Sequence, residues 1–427
     1  MLTFVQLRQH TETVIRGLEK KNIKQAEEKV QAILAADDQR KHFQKEADDL
    51  KAKINSLSKS VGQLMRQGET AEVEQLKTQI LELKNLEKSL ESDLKNATQH
   101  LNDLLLLLPN IPHHSVPAVP AGTDADHNQV MRTAGHIPVL HALAKPHWEL
   151  AKTYDIIDFE LGVKLTGAGF PVYKGKGAIL QRALITFFLQ EAQLAGYTEI
   201  QPPILVNADS GFGTGQLPDK DGQMYFANAD GYYLIPTAEV PITNIYRDVI
   251  LQAAELPIKN CGYTPCFRRE AGSYGKDVRG LNRLHQFDKV EIVQIAHPEK
   301  SYTILEDMVG HVSSLLDKLH LPYRILKLCG GDMSFASALT YDFEVYSAAQ
   351  QRWLEVSSVS NFETFQTNRL KCRYKDQHGK TQLAHSLNGS ALALPRIVAA
   401  LLENNQTPEG ITIPQILHAL TGFKTIS

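Results

Sequence analysis

The sequence predicts an α+β domain with a mainly antiparallel sheet, preceded by an antiparallel hairpin of two long helices. Two observations carry this prediction. Residues 25–105 contain no proline and only two glycines, and their apolar positions repeat at alternating steps of four and three. Beyond the prolines at 109, 112, 117 and 120, amphipathic helical stretches and β-rich runs are mixed rather than strictly alternating. We therefore expect two domains, residues 1–108 and 109–427.

Composition limits the class of protein. Hydrophobic residues make up 43% of the 427 residues and charged residues 22%, so a disordered or collagen-like chain is excluded. The 45 basic and 48 acidic residues leave a net charge of −3. That balance argues against a protein that grips nucleic acid through a large positive field, although it allows a local basic surface. Four scattered cysteines without a CxxC pair predict reduced structural thiols and no zinc site.

The chain shows no signal for export or membrane insertion. Its N-terminus has no signal-peptide core. Its continuous apolar run, Leu104 to Leu108, is far shorter than the roughly 20 residues that a membrane span needs. We therefore expect a cytoplasmic protein with no membrane partner.

The helical hairpin is predicted from its apolar seam. Gly68 divides the seam and can adopt the left-handed conformation that ends a helix. We expect a first helix of roughly 35 residues, about 50 Å long. The expected seam positions are Phe43, Ala47, Leu50, Ile54, Leu57, Val61 and Leu64 before Gly68, and Val73, Leu76, Ile80, Leu83, Leu90, Leu94, Ala97 and Leu101 after it.

Two functions suit such a hairpin. A dimerisation or spacer coiled coil is the simpler one. A nucleic-acid contact is the other, because Lys41, Lys45, Lys53, Lys59, Arg66 and Lys77 could line one side.

The densest polar cluster lies at residues 266–293, CFRREAGSYGKDVRGLNRLHQFDKVEIV. Its pattern predicts two strands joined by a basic loop that contains Gly272, Gly275 and Gly280. Arg268 and Glu270 are expected on one strand face, and Phe287, Lys289 and Glu291 on a face of the other. If the faces coincide, a cation, two carboxylates and an aromatic ring can hold a phosphate, a base and an amine. A cross-strand ion pair on a solvated face is the alternative. The basic loop favours a phosphate-bearing partner.

This cluster resembles motif 2 of the class II aminoacyl-tRNA synthetases, and the chain as a whole is similar to the seryl-tRNA synthetase family. The hairpin matches that family's N-terminal arm. Further matching segments are YTEIQPPILV (197–206, motif 1, with Pro203), GTGQLP (213–218), LIPTAEVPITN (234–244, the serine-site loop), LEVSSVSNFETFQTNR (354–369, the ATP site) and LAHSLNGSALALPRIVAALLENNQ (383–406, motif 3).

The resemblance implies an ATP- and Mg²⁺-dependent serine–tRNA ligase. Such an enzyme activates L-serine to seryl-adenylate with release of pyrophosphate, and transfers seryl to tRNA(Ser), and to tRNA(Sec) where that exists. It implies a class II catalytic domain at 109–427, an arm at 1–108 that recognises tRNA by shape, and a homodimer through the motif 1 region.

The resemblance also implies site residues. Arg268, Glu270 and Arg396 are expected to be catalytic, with Arg268 bridging the α-phosphate and the serine carboxylate. Glu355 and Ser358 are expected to hold Mg²⁺. The expected ATP-binding residues are Arg268, Arg269, Glu270, Phe287, Glu355, Val356, Ser357, Ser358 and Arg396. The expected serine-binding residues are Thr237, Ala238, Glu239, Glu291, Asn388 and Ser390, with Glu291 as the reader of the ammonium and hydroxyl groups.

Some questions stay open. Arg283 suits an ATP contact and a tRNA contact equally well. The chain departs from the family pattern at Ala391, Pro395, Ser334, Ser337 and Leu339. A non-enzymatic relative that kept the scaffold is one alternative, although every expected catalytic residue is present. A ligase that loads a small amino acid onto a carrier protein is another, and loss of the arm would be its usual sign.

Overall fold

The computed structural model describes residues 1–117, 125–219, 222–270 and 279–427. These residues form two compact units. The first unit comprises Leu2–Glu19 and Ile23–Pro109, and the second comprises Met1, Lys20–Asn22 and Asn110–Ser427. Pro120 of the expected linker, and Gly272 and Gly275 of the expected loop, lie outside the described residues.

The first unit is helical. Its helices are α1 (Phe4–Gln9), α2 (Thr11–Lys20), α3 (Ala26–Gln67) and α4 (Thr70–Leu106). The predicted hairpin is confirmed, since α3 and α4 pack along one another. Gly68 caps α3 in the left-handed conformation, with φ +82°. The predicted length of α3 was too short, because the helix has 42 residues, or roughly 63 Å at 1.5 Å per residue.

The seam is confirmed residue by residue. Every predicted seam position is buried or half-buried, and Ala47, Leu50 and Ile54 are the most deeply enclosed in the middle of α3. Leu86 is 55% exposed while the adjacent Glu87 is half-buried, so the apolar pattern is interrupted there. The Lys51 ammonium of α3 lies 3.6 Å from the Glu91 carboxylate of α4, and this ion pair links the two helices of the antiparallel hairpin.

The second unit mixes strands and helices. In chain order its described elements are β1 (Gln129–Ala134), α5 (His147–Thr153), β2 (Ile157–Asp158), α6 (Phe159–Leu165), β3 (Val172–Tyr173), α7 (Gly175–Leu194), β4 (Thr198–Glu199), β5 (Leu205–Val206), α8 (Ala208–Thr214), β6 (Phe226–Ala227), β7 (Tyr232–Leu234), α9 (Glu239–Asn244), β8 (Ile250–Gln252), β9 (Ile258–Phe267), β10 (Gln286–Ala296), α10 (Ser301–Lys318), β11 (Tyr323–Lys327), β12 (Leu339–Ser347), β13 (Arg352–Glu363), α11 (Thr364–Leu370), β14 (Arg373–Lys375), β15 (Thr381–Leu383), β16 (His385–Ala393), α12 (Leu394–Asn404), β17 (Gln406–Thr407), β18 (Gly410–Thr412), α13 (His418–Thr421) and β19 (Thr425–Ile426).

A single large sheet organises this unit. Its strand order is β1-β11-β12-β13-β16-β10-β9-β4, and neighbouring strands are antiparallel except at the edge, where β4 runs parallel to β9. Helices α7, α10 and α12 pack on the sheet. The core therefore lies between sheet and helices, and the predicted α+β class is confirmed.

One expected strand ends earlier than the sequence suggested. Strand β9 stops at Phe267, and Glu270 has a left-handed φ of +51°. The expectation that Arg268 and Glu270 share a strand face was therefore wrong, because strand alternation does not extend to them.

None of the helices in the described ranges is both long enough and apolar enough to cross a membrane.

Candidate active site

Strand β10 forms the floor of the site. Phe287, Lys289 and Glu291 alternate along it and therefore share one face. Glu291 lies opposite Gly262 of β9 on one side and Ser390 of β16 on the other. The predicted face of the returning strand is confirmed, and it is flanked by residues from both neighbouring strands.

A buried polar cluster surrounds Glu291. Its carboxylate is 2.6 Å from the Lys289 ammonium, and both side chains are almost inaccessible to water. Thr237 Oγ1 donates to Glu291 Oε2 over 3.1 Å, and Ser390 Oγ donates to the same oxygen over 3.5 Å. A buried carboxylate is tolerated only with such partners, so the cluster holds the Glu291 side chain in one orientation.

A second carboxylate lies in the first turn of α9. Gln366 Nε2 donates to Glu239 Oε1 over 2.6 Å. Burial, with the charge of Glu291 as the next cause, raises the pKa of Glu239 to about 7, although the Gln366 and Asn388 amides oppose that rise. Ala238, fully buried, precedes Glu239 in the chain. The structure thus gathers Thr237, Glu239, Glu291 and the strand β16 residues Asn388 and Ser390, as predicted from the resemblance.

The N-terminal end of β10 carries an aromatic ring, and a guanidinium from the residue after β9 lies over it. The Arg268 Cζ atom lies 5.2 Å from the centre of the Phe287 ring, within the range of a cation–π contact. Arg268 Nε also donates to the Pro236 carbonyl over 3.4 Å. Glu270 is ion-paired with Arg283 near the end of the intervening loop. These four side chains belong to the two arms of the predicted motif 2 hairpin.

Arg396 closes this end of the site from helix α12. Its Nη1 donates to the Glu355 carbonyl over 2.7 Å and lies 3.7 Å from the Glu355 carboxylate. Its Nε donates to the Asn282 carbonyl over 3.0 Å. The guanidinium is therefore held by main-chain oxygens, with a largely exposed carboxylate beside it.

The remaining residues expected to bind ATP differ in how accessible their side chains are to solvent. Arg269 is exposed. Val356 is 1% exposed, and Ser357 Oγ donates to the Ser390 carbonyl over 2.6 Å inside the sheet. The Val356 and Ser357 side chains are thus buried within the fold, whereas Glu355 is exposed and Ser358 is half-buried.

Glu355 and Ser358 fit Mg²⁺ by donor type. Ser358 lies directly opposite Asp342 of β12, and Asp342 Oδ1 is a buried oxygen without a hydrogen-bond partner among the described residues. Burial and the charge of Glu355 raise the pKa of Asp342. Carboxylate and hydroxyl oxygens suit this cation. No cluster of three or more His, Cys, Asp or Glu in the described parts of the chain is arranged to hold a metal, so phosphate oxygens would have to complete the coordination.

Sequence reasoning assigned no role to four residues that hold the site together. They are Lys289 beside Glu291, Gln366 beside Glu239, Asp342 beside Ser358, and Asn282 beneath Arg396. In FDKVE, Lys289 precedes Glu291 by two residues on the same predicted strand face, and this spacing was a usable signal for Lys289. The others come from distant segments, and their proximity depends on the topology of the sheet.

The departures from the family pattern are accommodated inside the fold. Ala391 is fully buried in β16, and Pro395 lies in the first turn of α12, where a missing N–H does not interrupt helical hydrogen bonding. The buried Lys21 ammonium donates to the carbonyls of Ser334 and Ser337 over 2.7 and 2.8 Å. These contacts hold the segment just before β12.

Comparison with known proteins identifies the family. Residues 1–112 match the model of the seryl-tRNA synthetase N-terminal domain, and residues 225–405 match the model of the class II tRNA synthetase core domain (G, H, P, S and T). A serine–tRNA ligase of Salinibacter ruber is 51% identical over 399 residues, which are 93% of this chain and 92% of that protein. The chain belongs to the seryl-tRNA synthetase family.

Solved structures agree with this assignment to the seryl-tRNA synthetase family. The seryl-tRNA synthetase of Pyrococcus horikoshii, solved in complex with ATP, is 31% identical with a TM-score of 0.90, over 100% of this chain and 99% of that one. The cytoplasmic serine–tRNA ligase of Naegleria fowleri, in complex with AMP, is 25% identical with a TM-score of 0.86, over 100% and 99%. The predicted family and the predicted class II fold are confirmed.

Proposed function

We propose that this chain activates L-serine with ATP and transfers the seryl group to tRNA(Ser), as a serine–tRNA ligase. The observation that carries the proposal is the layout of strand β10. The middle of the strand holds a buried, hydrogen-bonded carboxylate suited to an ammonium and a hydroxyl, and its N-terminal end holds an aromatic ring beneath a guanidinium, suited to a base and a phosphate.

Serine binds at the buried end in this proposal. The ammonium and hydroxyl groups of serine are read by Glu291, with Thr237 and Glu239 beside it and Asn388 and Ser390 on the neighbouring strand. Because Glu291 is nearly inaccessible to water, an amino acid without the hydroxyl leaves a buried polar group unpaired. Such a site rejects alanine strongly.

ATP binds at the opposite end. Phe287 stacks on the adenine, Glu270 accepts from its amino group, and Arg396 meets the γ-phosphate. Arg268 pairs with both the α-phosphate and the serine carboxylate, since its planar fork suits either anion. A serine carboxylate oxygen then attacks the α-phosphorus and pyrophosphate leaves, which yields seryl-adenylate. Positioning and charge neutralisation supply the catalysis, and no side-chain base is needed.

Mg²⁺ is the cation that we assign to Glu355 and Ser358, with Asp342 behind them. Bound there with ATP, it would neutralise phosphate charge during the displacement. The oxygen donor set and the unpartnered Asp342 oxygen support this assignment.

The second step transfers the seryl group. The terminal ribose hydroxyl of the tRNA attacks the seryl carbonyl, and AMP leaves. We assign tRNA recognition to residues 1–108, with substrate use extending to tRNA(Sec) where the host has it. We further propose a cytoplasmic homodimer formed through the motif 1 region. The carrier-protein ligases would lack the helical hairpin, so its presence supports tRNA as the acceptor of the seryl group.

Two assays on the full chain test the function. We expect serine-dependent exchange of pyrophosphate into ATP, and serine attachment to tRNA(Ser). Absence of exchange would favour the non-enzymatic relative. Exchange without tRNA charging would favour the carrier-protein ligase.

A shortened hairpin tests the arm. The Lys51–Glu91 ion pair shows where the two helices can be rejoined, so residues 52–90 are replaced by a short glycine-rich turn. We expect exchange to persist and tRNA charging to be lost. A variant with the full hairpin and Leu86→Gln, which alters an exposed side chain only, serves as the control and should charge normally. Unchanged charging by the shortened protein would remove tRNA binding from the arm.

A further inference from the structure

A buried histidine–glutamate pair lies behind the ATP end of the site. His147, the first residue of α5, and Glu403, near the end of α12, are both completely inaccessible to water. His147 Nδ1 is 2.7 Å from Glu403 Oε1, and the His147 backbone N–H donates to the same oxygen over 2.9 Å. Neither residue touches the serine or ATP groups assigned above.

The other ring nitrogen reaches the end of the motif 2 loop. The backbone N–H of Leu281 donates to His147 Nε2 over 2.8 Å. Nε2 is therefore the acceptor, so the ring proton lies on Nδ1 and is donated to Glu403. The loop comes close enough that a Cβ on Gly280, where φ is +67°, would lie 2.2 Å from His147 Nε2. The close contact between His147 and residue 280 therefore requires glycine at position 280.

A second route joins Glu403 to the same loop segment. Gln350 Nε2 donates to Glu403 Oε1 over 2.9 Å, and Asn282 Nδ2 donates to Gln350 Oε1 over 3.0 Å. Leu281 and Asn282 are consecutive, so both routes converge on two residues. The carbonyl of Asn282 is the one that accepts from Arg396 Nε over 3.0 Å.

We infer that His147 is a positioning residue for ATP binding: with Glu403 it fixes the main chain at 281–282 and thereby aims Arg396. This inference rests on the proposed function, since Arg396 is the group assigned to the γ-phosphate. The pair is buried and neutral at the histidine ring, so it transmits geometry rather than charge. Arg279 adds to the anchoring, with its guanidinium 4.7 Å from the Trp148 ring next to His147.

The test separates the two ring nitrogens. His147→Asn keeps a donor near the Nδ1 position for Glu403 but cannot reach Leu281. We expect the KM for ATP in pyrophosphate exchange to rise about tenfold, the size of one lost buried hydrogen bond. The KM for serine should stay within twofold, and the melting temperature should change little. His311→Asn, a matched substitution of a half-buried histidine in α10, should leave both KM values unchanged.

A second variant guards against misfolding at position 147. Gly280→Ala should raise the KM for ATP in the same way, because its Cβ displaces the loop from His147. An inactive wild-type protein would defeat the proposed function itself. Active wild type together with a wild-type KM for ATP in both variants would overturn the role of His147. An equal rise in both KM values would also overturn it, since that result indicates general loosening of the site.

Discussion

The two ends of the site, to which we assign serine and ATP, are held in different ways. At the serine end, Glu291, Thr237 and Ser390 are each at most 8% exposed, and both hydroxyls donate to the Glu291 carboxylate. At the ATP end, the side chains of Arg283 and Glu355 are 45% and 52% exposed, and they pair with site residues across a solvated surface. A buried network fixes its geometry before substrate arrives, whereas exposed ion pairs are weak and exchange readily for phosphate contacts.

That difference explains why each end suits its substrate. Discrimination against alanine depends on a single hydroxyl, so the donors and acceptors around it must be rigid and shielded from water. ATP brings several charges and its own metal ion. Its site therefore needs arginines that can change partner when the nucleotide binds.

The largest expected effect is at the buried end. Glu291→Ala should reduce serine-dependent pyrophosphate exchange by about 10³-fold, because it removes the serine reader and leaves the Lys289 ammonium buried without its partner. Melting temperature should fall as well. The double variant Lys289→Met, Glu291→Ala should regain stability but no activity. Wild-type exchange by Glu291→Ala would remove this residue from the serine site.

The next effect is at the ATP end. Arg268→Lys should lower kcat for exchange by about 10²-fold, since an ammonium cannot form the paired contacts of a guanidinium with carboxylate and phosphate. Arg373→Lys in β14, which belongs to a separate three-stranded sheet, is the control and should stay near wild type. A similar loss in both variants would point to general destabilisation instead.

Glu239 allows a pH test of the buried end. Its pKa of about 7 lies above the ordinary value of 4.5, so the folded protein binds the extra proton between these values. The free energy of unfolding therefore falls as pH rises from about 4.5 to 7 and then levels off. Glu239→Gln should lack that fall and be more stable by about 3 kcal/mol above pH 7, with a serine KM raised about tenfold. Parallel stability curves for variant and wild type, measured by urea unfolding, would contradict the assignment.

The smallest effect concerns Arg283. Its ion pair with Glu270 is partly exposed, so Arg283→Ala should raise the KM for ATP only about threefold. The KM for tRNA(Ser) in charging assays distinguishes its two possible roles. A rise in that value with no change for ATP would place Arg283 on the tRNA side.

Prediction from the sequence worked best where residues repeat at the spacing of a helix or a strand. The seam from Phe43 to Leu101 predicted both long helices, because apolar spacing is a direct consequence of helical geometry. Gly68 predicted the turn, because a left-handed cap favours glycine. The face shared by Phe287, Lys289 and Glu291 followed in the same way from strand alternation.

Prediction was weaker where the chain leaves regular structure. Pattern alone placed Arg268 and Glu270 on a strand, although β9 ends before them. The roles of site residues came from resemblance to a family rather than from spacing. Gln366 and Asn282 were not found, since a hydrogen-bond partner more than 100 residues away leaves no local mark in the sequence.

Strand β10 also sets a length. Glu291 lies four positions after Phe287, and at about 3.4 Å per residue these side chains stand roughly 14 Å apart along the strand. An inserted or deleted residue between them would alter that spacing and turn one side chain to the opposite face. The strand therefore fixes the distance between the two ends of the site, and a ligand must match that distance to contact both ends at once.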